Sequence, residues 1–115
     1  MSVTLYHNPR CSKSRQTLAL LEERGIKPHI VLYLETPPDQ AELKTLLQQL
    51  RLSARELLRK GEAIYQSLGL DNPELDDDAL INAMTLNPQL IERPIVVHNK
   101  LAALGRPPEN VLRIL

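Results

Sequence analysis

Cysteine occurs once in these 115 residues, as Cys11 within His7-Asn8-Pro9-Arg10-Cys11-Ser12-Lys13-Ser14-Arg15. An unpaired cysteine is either a small buried hydrophobe or a reactive thiolate. The segment favours the second reading, because it is nearly devoid of apolar side chains and poorly suited to burying a thiol. Arg10, Lys13, Arg15 and His7 can supply positive charge, and a helix starting here would aim free N–H groups at the sulfur. A free thiol titrates near ~8.5, and one pKa unit corresponds to roughly 1.4 kcal/mol. A helix dipole at an exposed site contributes only about 0.3–1 kcal/mol. A thiolate that dominates at neutral pH therefore calls for direct hydrogen bonds, from loop N–H groups or Ser14, together with a nearby cation.

The spacing also limits the chemistry. Cys11-Ser12-Lys13-Ser14 is Cys-x-x-Ser, so dithiol exchange has no resolving cysteine nearby and a second thiol must come from outside. From Cys11 to Arg15 the chain is too short for the phosphate cradle of low-molecular-weight tyrosine phosphatases.

The elements around this segment follow from pattern and punctuation. Val3–Tyr6 is a β-prone run stopped by His7-Asn8-Pro9. A helix follows, with Ser12 or Ser14 as its cap, Leu18, Leu20 and Leu21 as its apolar stripe and Gly25 as its stop. His29–Leu34 reads as a second strand, parallel to the first across the short helix. Pro37-Pro38-Asp39 opens a helical middle with Leu43, Leu46, Leu47 and Leu50 at helical spacing. Ser53 and Glu56 match a capping box, and Asp76, Asp77 and Asp78 read as a helix N-terminus rather than a metal site. After Arg93-Pro94, Ile95–His98 and Leu101–Leu104 form a hairpin across Asn99-Lys100. A closing helix follows Arg106-Pro107-Pro108. His29 and His98 are read as strand-end packing residues.

Strand-helix-strand, helices, then hairpin and helix describe an α/β fold: a mixed four-stranded sheet flanked by helices, with a helical insertion between the second and third strands. The cysteine between first strand and first helix, and an X-Pro bond before the third strand, make this outline resemble the thioredoxin fold. That resemblance implies a cis proline opposite the cysteine, with Pro94 the candidate.

Bulk properties are compatible with one domain spanning 1–115. The chain is 43% hydrophobic and 24% charged, an ordinary globular composition. With 14 basic and 14 acidic residues the net charge is +0, so no global field recruits nucleic acid or a membrane surface. The absence of a possible disulfide and of an apolar leader or span makes the cytoplasm the expected location.

The segments His7–Arg15, Leu32–Pro38, Leu57-Leu58-Arg59-Lys60, Arg93–Val97 and Leu104–Glu109 together resemble the glutaredoxin-coupled arsenate reductases, in order and along essentially the whole chain. The resemblance implies that Cys11 attacks arsenate while Arg59, Arg93 and Arg106 bind the oxyanion. It also implies that His7, Ser14 and Arg15 lie near the cysteine, the first two bonding or tuning the thiolate. It implies glutathione as co-substrate and glutaredoxin as partner, with no bound cofactor and no metal. Guanidinium forks suit the task, since a thiolate approaching an anion is repelled unless the ligand is neutralised and held in line. Two further resemblances are weighed beside it. Spx-like regulators share the fold and bind RNA polymerase, but many carry a Cys-x-x-Cys switch that is missing here. Monothiol glutaredoxin-like modules share Cys-x-x-Ser and hold an iron–sulfur cluster through the cysteine and glutathione.

Overall fold

The computed structural model describes residues 2–115. Their contacts gather into two compact units: one formed by the residues up to Thr36 together with Arg93–Leu115, the other by Pro37–Glu92.

The first unit is built on a sheet whose strands are β1 (Val3–Tyr6), β2 (His29–Val31), β3 (Ile95–His98) and β4 (Leu101–Leu104), in the order β2-β1-β3-β4. β1 pairs in parallel with β2 and antiparallel with β3, and β3 pairs antiparallel with β4. The register aligns Leu5 with Val96 and Val96 with Ala103, so these side chains share one face of the sheet. With Val3, that face packs on Leu21 of α1 (Ser12–Glu23) and on Val111 of a terminal 3₁₀ helix, Pro108–Ile114. Leu5 and Leu21 are fully buried, each burial contributing about 1.5–3 kcal/mol. Asn99 and Lys100 turn the hairpin with φ of 53° and 64°, the two positive values that a tight type I′ connection requires. Gly25, at φ 75°, ends the turn after α1.

Two expectations are corrected here. The second strand stops at Val31 instead of reaching Leu34, because the Leu32 carbonyl accepts the amides of both Glu35 and Thr36 at 2.9 Å and closes a turn. Tyr33 is consequently buried from a turn, not from a strand. The expected closing helix is present, as the 3₁₀ helix Pro108–Ile114. His98 ties the end of β3 to it, Nδ1–H donating to the Ile114 carbonyl at 2.6 Å, whereas His29 is exposed on the edge strand and does not pack.

The second unit is helical: α2 (Gln40–Leu50), α3 (Ala54–Leu57), α4 (Ala63–Ser67), α5 (Asp77–Leu86) and a short 3₁₀ turn, Pro88–Leu90. Asp39 caps α2, accepting from the Glu42 amide, and Asp76 caps α5, accepting from the Ala79 amide, both at 2.8 Å. Ser53 and Glu56 form the reciprocal capping box. Leu43, Leu46 and Leu47 of α2 and Leu80, Ile81 and Met84 of α5 are buried, as their spacing requires. Among the described residues, no helix is long and apolar enough to cross a membrane.

Candidate active site

β1 delivers the chain into the thiol turn. The His7 amide adds one more bond to the parallel ladder, donating to the Val31 carbonyl at 2.9 Å. Pro9 then has no N–H to continue any ladder. Asn8 builds the turn twice over: its side-chain oxygen accepts the Arg10 amide, and its carbonyl accepts the Cys11 amide, each at 3.0 Å. Arg15 staples the loop from α1, with Nη1 donating to the Pro9 carbonyl at 3.3 Å.

Cys11 is the N-cap residue of α1, with extended backbone and a half-buried side chain. Burial by itself would raise its pKa. The Ser14 amide, the hydrogen bond and charge of Arg93, and the Lys13 amide together outweigh that cost, so the pKa is lowered from its ordinary value. Amides and cation thus both support the thiolate. The cation is Arg93, however, not the neighbouring Arg10, Lys13 or Arg15.

Ser12 and Ser14 do not cap α1, contrary to the sequence-based expectation. Ser12 is its first residue, and the fully buried Ser14 sends its hydroxyl back to the loop. There Ser14 Oγ lies 2.6 Å from His7 Nδ1 and accepts the Asn8 amide at 3.0 Å. His7 is buried, and that burial lowers its pKa below 6.5, so the ring is neutral at neutral pH. Its hydrogen bond goes to Ser14 rather than to the sulfur. Of the two residues expected to bond or tune the thiolate, Ser14 does so through its backbone and His7 bonds Ser14, while Arg15, expected near the cysteine, holds the loop.

The Arg93–Pro94 peptide bond is cis, and so is Arg106–Pro107, which sequence reading did not single out. Arg106 Nη1 donates to the Arg93 carbonyl at 3.1 Å, and the Gly105 amide donates to the Pro94 carbonyl at 2.9 Å. Cys11, Arg93 and Arg106 are thereby linked within one compact unit. Arg59 belongs to the other unit. There the isolated pairing of Leu58 with Ile91 sets Arg59 beside Glu92, with Nε at 3.4 Å from its carboxylate, and Nη1 lies 3.8 Å from Glu62.

Sequence reasoning missed Thr17. It is fully buried, donates to the Lys13 carbonyl at 2.9 Å, and occupies the space a side chain at position 105 would need. A threonine in an ordinary helical stretch carries no signal of that contact.

The strand order, the cysteine at the head of α1 and the cis proline before β3 define a thioredoxin-like domain with a supported thiolate. A model of the ArsC family matches residues 6–114. The protein YfgD of Escherichia coli K12, described as uncharacterized, is 58% identical over 114 residues, covering 98% of this chain and 96% of that one. The arsenate reductase of Neisseria meningitidis serogroup A is 54% identical over 114 residues, covering 98% of this chain and 97% of that one. A solved structure of the arsenate reductase from Vibrio cholerae superposes with a TM-score of 0.98 at 58% identity, covering 100% of this chain and 98% of its own. The chain belongs to the ArsC family.

Proposed function

We propose that this protein reduces arsenate to arsenite through a covalent adduct on Cys11, with glutathione and glutaredoxin supplying the electrons. The observation that carries this reading is the N-cap position of Cys11 with the Arg93 guanidinium on its sulfur, a thiolate beside a cation suited to an oxyanion. In the first step the Cys11 thiolate forms an S–As bond and one arsenate oxygen leaves as water, arsenic remaining As(V). Glutathione then replaces a second oxygen, again released as water, to give an arsenic carrying both sulfurs. A glutaredoxin thiolate attacks the glutathione sulfur and forms a disulfide. The As–S electron pair stays on arsenic, which becomes As(III), and water cleaves the remaining bond to free arsenite and Cys11. Two thiols are oxidised to one disulfide, arsenic gains two electrons, and the net product besides arsenite is one water.

Arg93 and Arg106 are assigned to the oxyanion, where paired forks neutralise charge that would repel the thiolate. Arg59 is assigned to it by family resemblance. Both donors belong to a reducing compartment, so the reaction is placed in the cytoplasm. The test is glutathione- and glutaredoxin-dependent arsenite formation by the intact chain and by Cys11→Ser. Turnover in the first and none in the second is expected; an inactive intact protein, with donors shown competent, overturns the assignment.

A further inference from the structure

A cleft of about 330 Å³ opens beside the thiol turn, with Pro9 and Arg10 on its walls together with Leu32, Leu34 and Glu35 from the turn after β2. Its volume falls in the range of small-ligand sites, about 300–1,000 Å³. Leu32 and Leu34 are 37% and 43% exposed, an apolar surface that a soluble chain gains by covering. One cation and one anion flank that surface, Arg10 and Glu35, both exposed. The cleft shares its turn with the sulfur, since Arg10 directly precedes Cys11 and the Cys11 amide bonds Asn8.

We infer that this cleft is the binding site of the external thiol, and that its occupant is glutathione. The inference rests on the reading above, in which Cys11 needs a second thiol from outside the chain. Glutathione carries carboxylates at both ends and one ammonium, with a thiol between them. A carboxylate fits the Arg10 fork, the ammonium fits Glu35, and the short aliphatic middle covers Leu32 and Leu34. An extended tripeptide spans about 10 Å, so a molecule seated there can present its sulfur at the neighbouring residue.

The probe is S-methylglutathione, which binds without reacting, titrated into the isotope-labelled full chain with arsenate absent. Saturable shifts of the Arg10, Leu32, Leu34 and Glu35 amides are expected. Glu35→Lys should weaken binding about fivefold, consistent with reversing one exposed charge contact. Leu34→Gln should weaken it too, while the alkylation rate of Cys11 stays unchanged in both. In turnover, both variants should raise KM for glutathione and leave KM for arsenate alone. Shifts that avoid these residues, that ignore Glu35→Lys, or that arise only on adding glutaredoxin overturn the site. Because the titration contains no arsenate, a protein that binds the probe but fails to reduce arsenate separates this inference from the proposed reaction.

Discussion

Gly105 leaves no room for a side chain against Pro94. Its amide donates to the Pro94 carbonyl at 2.9 Å, and a Cβ placed on it would lie 2.7 Å from Pro94 Cγ and press on Thr17 Oγ1. Neither neighbour yields easily: Thr17 is fully buried and tied to the Lys13 carbonyl, and Pro94 is a buried ring between Arg93 and β3. Gly105→Ala therefore overpacks the unit, with an expected cost of about 1–3 kcal/mol seen as a lower denaturant midpoint. Displacing Pro94 also displaces Arg93, so slower alkylation of Cys11 at neutral pH should accompany the loss of stability. A variant as stable and as reactive as the parent would show that the neighbours relax freely.

Arg93 acts on Cys11 both as a hydrogen-bond donor and as a charge. Removing it in Arg93→Ala leaves the Ser14 and Lys13 amides to oppose burial alone, so the pKa of Cys11 rises. The midpoint of the iodoacetamide rate against pH should move upward, and Arg93→Lys should recover part of the shift by returning the charge without the fork. An unchanged midpoint in Arg93→Ala would assign the support to the amides.

The local features were legible where one residue type answers one local need. Asn99-Lys100 made a hairpin turn, Ser53 and Glu56 a capping box, and Cys11 the head of a helix. Contacts that depend on distant chain were not legible. The Ser14 hydroxyl could serve a cap or a loop, and only the return of His7 and Asn8 against α1 decides for the loop. The apolar run His29–Leu34 continues past its strand because Leu32 and Leu34 face the cleft beside the thiol turn, not a ladder. The cation on the sulfur comes from Arg93, 82 positions beyond Cys11, whereas the sequence offered three nearer basic residues.

Ser14 carries a hydrogen-bond junction, its buried hydroxyl meeting both His7 Nδ1 and the Asn8 amide. Ser14→Ala strands the Asn8 amide and His7 Nδ1 together, and a buried polar group left unpaired costs about 1–3 kcal/mol. Urea unfolding should show a lower midpoint with an unchanged slope. The support of the thiolate by the Ser14 backbone amide survives this change, so the pH midpoint of alkylation should move much less than in Arg93→Ala. A large shift in that midpoint would mean that the hydroxyl, not the amide, matters to the sulfur.

His7 makes folding sensitive to mild acid. Burial lowers its pKa in the folded protein below the 6.5 of an exposed ring. Between those two values the unfolded chain binds a proton that the folded chain does not, so stability increases with pH across that window. Acidification through about 6.5 should therefore begin to lower the unfolding free energy, and the loss should level off below the folded pKa of His7. Glu56 responds in a separate, lower window: the Ser53 amide and hydroxyl hold its carboxyl below 4.5, and the stability it contributes is lost only as pH falls further. Comparing His7→Gln with the parent by urea titration at several pH values isolates the upper window. The substitution should flatten the pH dependence just below 6.5 and leave the Glu56 region intact; a slope that persists there would place the titrating group elsewhere.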